Sequence, residues 1–151
     1  MSARLADTPV AMAEGIIVLL KASADLATAM DEPDAAGVAD RIWDAPPPPD
    51  AVEPYILVQI IEPRDVGPIG STIIFSQGMA TVKVVGRAES YETLAPIAKA
   101  MHEAIQGSQH VDVSGGGVLL SARRRSALSY PEESNGIEYR HLGGAYEVTA
   151  Q

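Results

Sequence analysis

The sequence predicts an α+β fold, a mostly antiparallel β-sheet with two main helices packed on one face. Three observations carry this. Val10–Met30 and Leu94–Ile105 repeat apolar residues at helical intervals. The segments between and after them are rich in β-branched residues, and parts of them alternate in polarity. The last two strand-like runs flank Asn135-Gly136, a dipeptide suited to a two-residue hairpin turn. Strands in succession beside isolated helices, without strict strand–helix alternation, point to the α+β class.

The elements follow in order. Met1–Pro9 reads as a flexible tail, and residues 10–151 as a single domain. Val10–Met30 reads as one helix with a broad buried face formed by Met12, Ile16, Leu19, Leu20, Ala27 and Met30. Gly15 weakens its first turns by up to about 1 kcal/mol relative to alanine. Pro33 ends it, because the residue before a proline is pushed out of the helical region. Arg41–Asp44 predicts a short strand, and Pro46–Pro49 a stiff extended connector. As a PxxP-type run, the prolines also fit a ligand for an aromatic groove. Pro54–Ile61 is almost continuously apolar, which predicts a strand covered on both faces. Residues 63–70 hold two prolines and two glycines and read as a loop. Ser71–Phe75 and Met79–Gly86 read as one long bent strand or as two strands broken at Gln77-Gly78. In the second helix Leu94, Ile97, Ala98, Met101 and Ile105 form one stripe. Ser90 or Thr93 is the candidate cap and Gly107 is the stop; Pro96 falls in a harmless first turn if Thr93 is the cap and kinks the helix if it begins at Tyr91. His110–Val113, Val118–Tyr130 and Ile137–Thr149 read as strands.

Composition bounds the function. The 151 residues are 46% hydrophobic and 21% charged, as in an ordinary globular domain. Cysteine is absent, which excludes disulfides, thiolate metal sites and a cysteine nucleophile from this sequence. Twenty acidic residues against eleven basic ones give a net charge of −9, unsuited to holding nucleic-acid phosphates through the overall field. The longest early apolar run is Ile16–Leu20, far short of a membrane span, and the opening residues lack the pattern of a signal peptide. An intracellular protein, or one assembled inside a cell, is the expectation.

No residue set announces catalysis. His102, His110 and His141 are scattered without metal-ligand spacing and read as solvated. Gly115–Gly117 opens onto a strand pattern without a following lysine and reads as a connector, and no GxSxG elbow occurs. The pairs Asp31/Asp34 and Glu132/Glu133 read as solvated turn residues. Trp43 and Phe75, the sole tryptophan and phenylalanine, read as core. Arg123-Arg124-Arg125 is the only basic run. In a strand, Arg123 and Arg125 share one face and Arg124 takes the other. Three readings stand for it: contact with acidic groups on another copy, phosphate contact, or protection of an exposed edge. The loop at 63–70, with Arg64 and Asp65, is a second candidate contact, against the plainer reading of a surface loop. No catalytic residue, cofactor site or metal ligand is assigned.

The order of elements is familiar. Arg41-Ile42-Trp43, Pro54-Tyr55-Ile56-Leu57, Val82-Lys83-Val84-Val85-Gly86 and Ala95-Pro96-Ile97-Ala98-Lys99-Ala100-Met101 resemble, in order and spacing, the motifs of the tail terminator (tail completion) family of long-tailed bacteriophages. The closing GGAYEVTA run is similar too, and the resemblance covers roughly residues 10–150. The four consecutive prolines, Pro96 and the length of the arginine strand depart from the family pattern. The resemblance implies a structural virion protein of tail and neck, assembled in the host cytoplasm and free of catalytic residues and cofactors. Such proteins form a hexameric ring on the finished tail tube and stop its polymerisation. The ring offers a docking surface to the head–tail connector, and genomic DNA passes through its lumen without specific binding. The homo-oligomer, the tail tube protein and the connector are thus the implied partners, with no membrane. Competing readings are another neck protein (head–tail joining or stopper) and a small α+β ligand-binding domain or enzyme.

Overall fold

A computed structural model describes residues 8–44, 46–67, 75–87, 90–113 and 117–151. Helices α1 (Thr8–Lys21), α2 (Ala24–Ala29) and α3 (Ala35–Ala39) precede the short strand β1 (Ile42–Trp43) and the long strands β2 (Tyr55–Val66) and β3 (Phe75–Gly86). A 3-10 turn (Tyr91–Thr93) leads into α4 (Ala95–Ile105), and β4 (Gln109–Asp112), β5 (Val118–Ser134) and β6 (Ile137–Ala150) follow. The six strands form one sheet in the order β1-β2-β3-β6-β5-β4. Only β1 and β2 pair in parallel; the other neighbours are antiparallel, as the α+β reading requires.

One face of the sheet carries the core. Ile56 and Val58 of β2, Ala80, Val82 and Val84 of β3, and Tyr146, Val148 and Ala150 of β6 are buried at every second position. They meet Met12, Ile16 and Leu20 of α1, Leu26 of α2, and Ile97, Met101 and Ile105 of α4 in one cluster. Burying each such aliphatic side chain contributes roughly 1.5–3 kcal/mol. Gly15 faces this contact, since a Cβ there would lie 2.7 Å from the Leu119 Cβ. Its cost in helix propensity is offset by the close approach of α1 to β5.

Several expectations are corrected. The first helical stretch is two helices, because Ser23 leaves the helical region (φ −85, ψ 109) and its hydroxyl accepts from the Leu26 N–H at 3.1 Å. A cap restarts the helix while the apolar stripe continues across the break, so periodicity alone hides it. Thr8 and Pro9 belong to α1 rather than to a tail, and residues 1–7 lie outside the described residues. The β2 strand is covered on one face only: Tyr55 and Leu57 are half-buried, Gln59 is exposed and Ile61 is 46% exposed. Residues 64–66 continue β2 past a bulge between Ile61 and Arg64, which holds Pro63 and where Glu62 takes a positive φ of 51; residues 68–70 lie outside the described residues. Proline reads as a loop signal, but a bulge on an outer strand tolerates it. β3 runs unbroken through Gln77-Gly78, whereas 71–74 lie outside the described residues. Neither Ser90 nor Thr93 caps α4. Leu94 takes that position without a side-chain bond, and Pro96 lies in the first turn. Trp43 and Phe75 are only half-buried and stand outside the core cluster.

The expected hairpin is present. Asn135 (φ 53) and Gly136 (φ 77) form a two-residue turn in the left-handed region, closing the Ser134–Ile137 pair. Gly107 (φ 74) follows the end of α4.

Arg41 is a buried cation that ties three segments together. Its Nη1 donates to the Met30 carbonyl and to Glu32 Oε1, each at 2.9 Å, and its Nε donates to the Pro54 carbonyl at 3.0 Å. The end of α2, the acidic turn and the start of β2 are thereby held at one point. Arg41→Ala is expected to destabilise the fold by about 3 kcal/mol or more, because it strands Glu32 and two carbonyls. Glu32→Gln should cost clearly less, since both carbonyls keep their donor. Urea-unfolding midpoints of the two variants check the ranking.

Candidate functional site at the sheet edges

The two sequence-derived contact regions lie on different strands. Arg64 and Asp65 are on β2, and Arg123–Arg125 are on β5. With β3 and β6 between them, they stand roughly 14 Å apart across the sheet. They do not converge on one site within a copy; they mark opposite flanks of the sheet.

Both flanks are long strands with short partners. β1 pairs with β2 only at Ile56 and Leu57, although β2 continues to Val66. β4 pairs with β5 only between Val118 and Ser121, although β5 continues to Ser134. Beyond β4, the Gly107 N–H donates to the Ala122 carbonyl at 3.3 Å, and Gln106 Oε1 accepts from the Arg124 N–H at 2.8 Å. No further strand pairs with the outer side of Arg125–Ser134 among the described residues.

The arginines divide as the strand period requires. The register sets Arg123 opposite Glu147, and Arg125 reaches the same carboxylate, Nη2 to Oε2 at 2.6 Å. Arg124 pairs in register with Tyr146 on the helix side. A bulge between Arg124 and Ser126 increases the local twist. On β2, Asp65 Oδ1 accepts from the buried Ser76 hydroxyl at 2.5 Å, and Arg64 Nη2 donates to Gln77 Oε1 at 3.3 Å.

Two histidines expected to be solvated are engaged by neighbours, His141 buried and His102 half-buried. His141 is 4% exposed on the face away from the helices. Its ring stacks on Tyr130 with centroids 4.3 Å apart and planes 12° apart. Its Nε2 lies 2.7 Å from Glu132 Oε2 but out of line for a hydrogen bond, and Nδ1 has no partner among the described residues. Lys83 Nζ donates to the Tyr130 hydroxyl at 2.5 Å. Burial, and secondarily the Lys83 charge, hold His141 below its ordinary pKa of 6.5, with Glu132 pulling the other way. On the helix face, His102 Nδ1 and the Tyr146 hydroxyl are 2.9 Å apart. Burial, then Arg124, lower His102, and burial pushes Tyr146 up to about 12. Only His110 is exposed, with Nε2 3.8 Å from Asp112. Glu132 and Glu133, read as turn residues, lie inside β5, while Asp34 caps α3 through the Gly37 N–H. Lone histidines in strand patterns gave no sign of burial; the one legible hint was that His141 and Tyr130 fall symmetrically about the Asn135-Gly136 turn.

Among the described residues no cluster of three or more His, Cys, Asp or Glu could hold a metal ion, and no helix is long and apolar enough to cross a membrane. Gly117 is described, whereas residues 114–116 of the glycine-rich connector lie outside the described residues.

No family model matches the chain. No curated protein matches it either. Among solved structures, the chain is similar to a protein of the virion of a native gene transfer agent particle. The two share 19% identity over 99% of this chain and 100% of that one, with a TM-score of 0.68. The likeness shows that the fold is shared over the full length of both. A second solved chain is more distant, at 14% identity over 89% of this chain and 93% of its own, with a TM-score of 0.46.

The histidines give the fold a pH dependence with a defined sign. Both are held below 6.5, so the unfolded chain takes up protons first as pH falls. Their contribution to stability is full above about pH 6.5 and is lost progressively below it. The urea midpoint is expected to fall between pH 7.5 and pH 5, and His141→Phe, which keeps a ring against Tyr130, should flatten part of that fall.

Proposed function

We propose that the chain is a phage-type virion structural protein that acts as a tail terminator. It forms a hexameric ring on the finished tail tube, ends tube polymerisation and presents a docking surface to the head–tail connector. The observation that carries this reading is the end-to-end fold match with a protein of a gene transfer agent virion. The order of Arg41-Ile42-Trp43, Pro54-Tyr55-Ile56-Leu57 and the helix motif, which resembles the tail terminator family, supplies the specific role.

The physical chemistry is compatible with it. A ring needs head-to-tail surfaces that close under rotation rather than an enclosed pocket. Six copies at −9 each carry a formal charge of 6 × −9 = −54. Surplus acid along the lumen would repel DNA phosphates and let the duplex slide. A ring structure with a neutral or basic lumen would remove that part of the reading.

The test is absolute mass by light scattering over a range of concentrations, followed by addition of purified tail tubes. A species near 6 × 15.9 ≈ 95 kDa, or capping of tube ends that halts elongation, is the expected result. A protein that stays monomeric and leaves tubes uncapped, or that binds the connector and never the tube, overturns the proposal. Arg123→Glu combined with Arg125→Glu is expected to reduce ring assembly at least tenfold while the protein stays folded. Unchanged mass would remove these arginines from the subunit contact.

A further inference from the structure

We infer that neighbouring copies join by backbone pairing, the outer side of β5 beyond Arg124 in one copy against the outer side of β2 beyond Val58 in the next, both without a strand beside them among the described residues. The sheet then continues around the ring. This rests on the ring reading above and names the surface that closes it.

The backbone phase identifies the free groups. On β2, the Ile56 N–H points away from β3 and donates to the Arg41 carbonyl at 2.8 Å. The Trp43–Leu57 parallel register engages the Val58 N–H with β1 as well, so the free outward phase begins at Ile60, beside which no strand lies among the described residues. On β5, the Ser134–Ile137 pair closes the two-residue turn, so the alternate residues Ala127, Ser129 and Glu133 direct their N–H groups away from β6. Pro131 falls in that outward phase and offers its carbonyl alone, as a proline on an outer strand must.

Strand direction selects the partner. Antiparallel pairing of β2 with β3, β3 with β6 and β6 with β5 makes β2 and β5 run in opposite senses. Rotation about an axis near the strand direction preserves those senses, so β5 beside a neighbour's β2 is antiparallel without any inversion. Such a contact uses two different surfaces and closes a ring when the rotation fits. Charge agrees with this. Pairing Ile60–Arg64 against Arg125–Ser129 brings Glu62 and Asp65 beside the arginine end of β5, while the Arg64 side chain is turned back onto Gln77. Two β5 strands could also pair with each other, matching arginines to Glu132 and Glu133. That arrangement leaves both β2 strands bare and ends at a two-fold dimer.

The cysteine-free sequence makes a direct test available. Ile61→Cys protein is mixed with Leu128→Cys protein and oxidised, with Ser126→Cys and Tyr130→Cys replacing Leu128→Cys to cover neighbouring registers. The expected result is a mixed covalent dimer in one register, and a ladder up to six copies when both cysteines are on one chain. Ser129→Pro removes an outward N–H and should lower the ring fraction at least tenfold with the melting temperature unchanged. A ring near 95 kDa without mixed cross-links in any register overturns edge pairing and leaves the ring reading standing. Self-cross-linking of Leu128→Cys alone overturns it in favour of the two-fold dimer. A chain that neither assembles nor caps tubes overturns both.

Discussion

The alternation of buried and half-buried residues along β3 and β6 is the constraint on which the rest depends. These two strands fill the middle of the sheet, and their buried positions face α1 and α4. The helices thereby cover one face and leave the other to Leu57, Thr81, Lys83 and Ala145, which are half-buried without a helix against them. A one-residue slip would exchange the two faces, so the register is held by burial and by the Asn135-Gly136 turn together. The polar row around Lys83, Tyr130 and His141 follows from the same alternation. It occupies the uncovered face, where the stacked rings screen His141 from water.

Much of this was legible in the sequence. The class, the short β1, the second helix stripe, the hairpin and the split of the arginines between two faces all follow from period and turn chemistry. The failures share a cause: a local signal was read without its tertiary partner. The Ser23 cap is hidden because apolar spacing continues through it. The prolines and glycines at 63–70 suggest a loop, yet 64–66 pair with β3 because a bulge at Glu62 and Pro63 absorbs the irregularity. The apolar run at 54–61 suggests a strand buried on both faces, yet its outward side chains meet no helix. The partial burial of His102 depends on Tyr146, 44 residues away, which no spacing rule brings to it, whereas His141 meets Tyr130 and Glu132 through the hairpin register. The candidate contact residues were identified one region at a time. That they occupy the two opposite flanks of one sheet is a fact of topology.

That topology also changes the meaning of the arginine run. Charged side chains, bulges and prolines on an outer strand are the usual means of preventing indiscriminate pairing. Both flanks carry them: a bulge and Pro63 on β2, a bulge, three arginines and Pro131 on β5. Protection and recognition are compatible here because the devices are local. The bulges and prolines interrupt the ladder at particular positions, and between them Ile60 and Ala127–Ser129 keep outward groups. A partner strand must match those interruptions and place acid against arginine, which few strands do. An edge that rejects most partners while leaving one register open is what a head-to-tail ring requires, because each copy must accept its neighbour without forming open aggregates. On the ring reading proposed above, the same features that read as edge protection in a monomer would restrict assembly to a closed order.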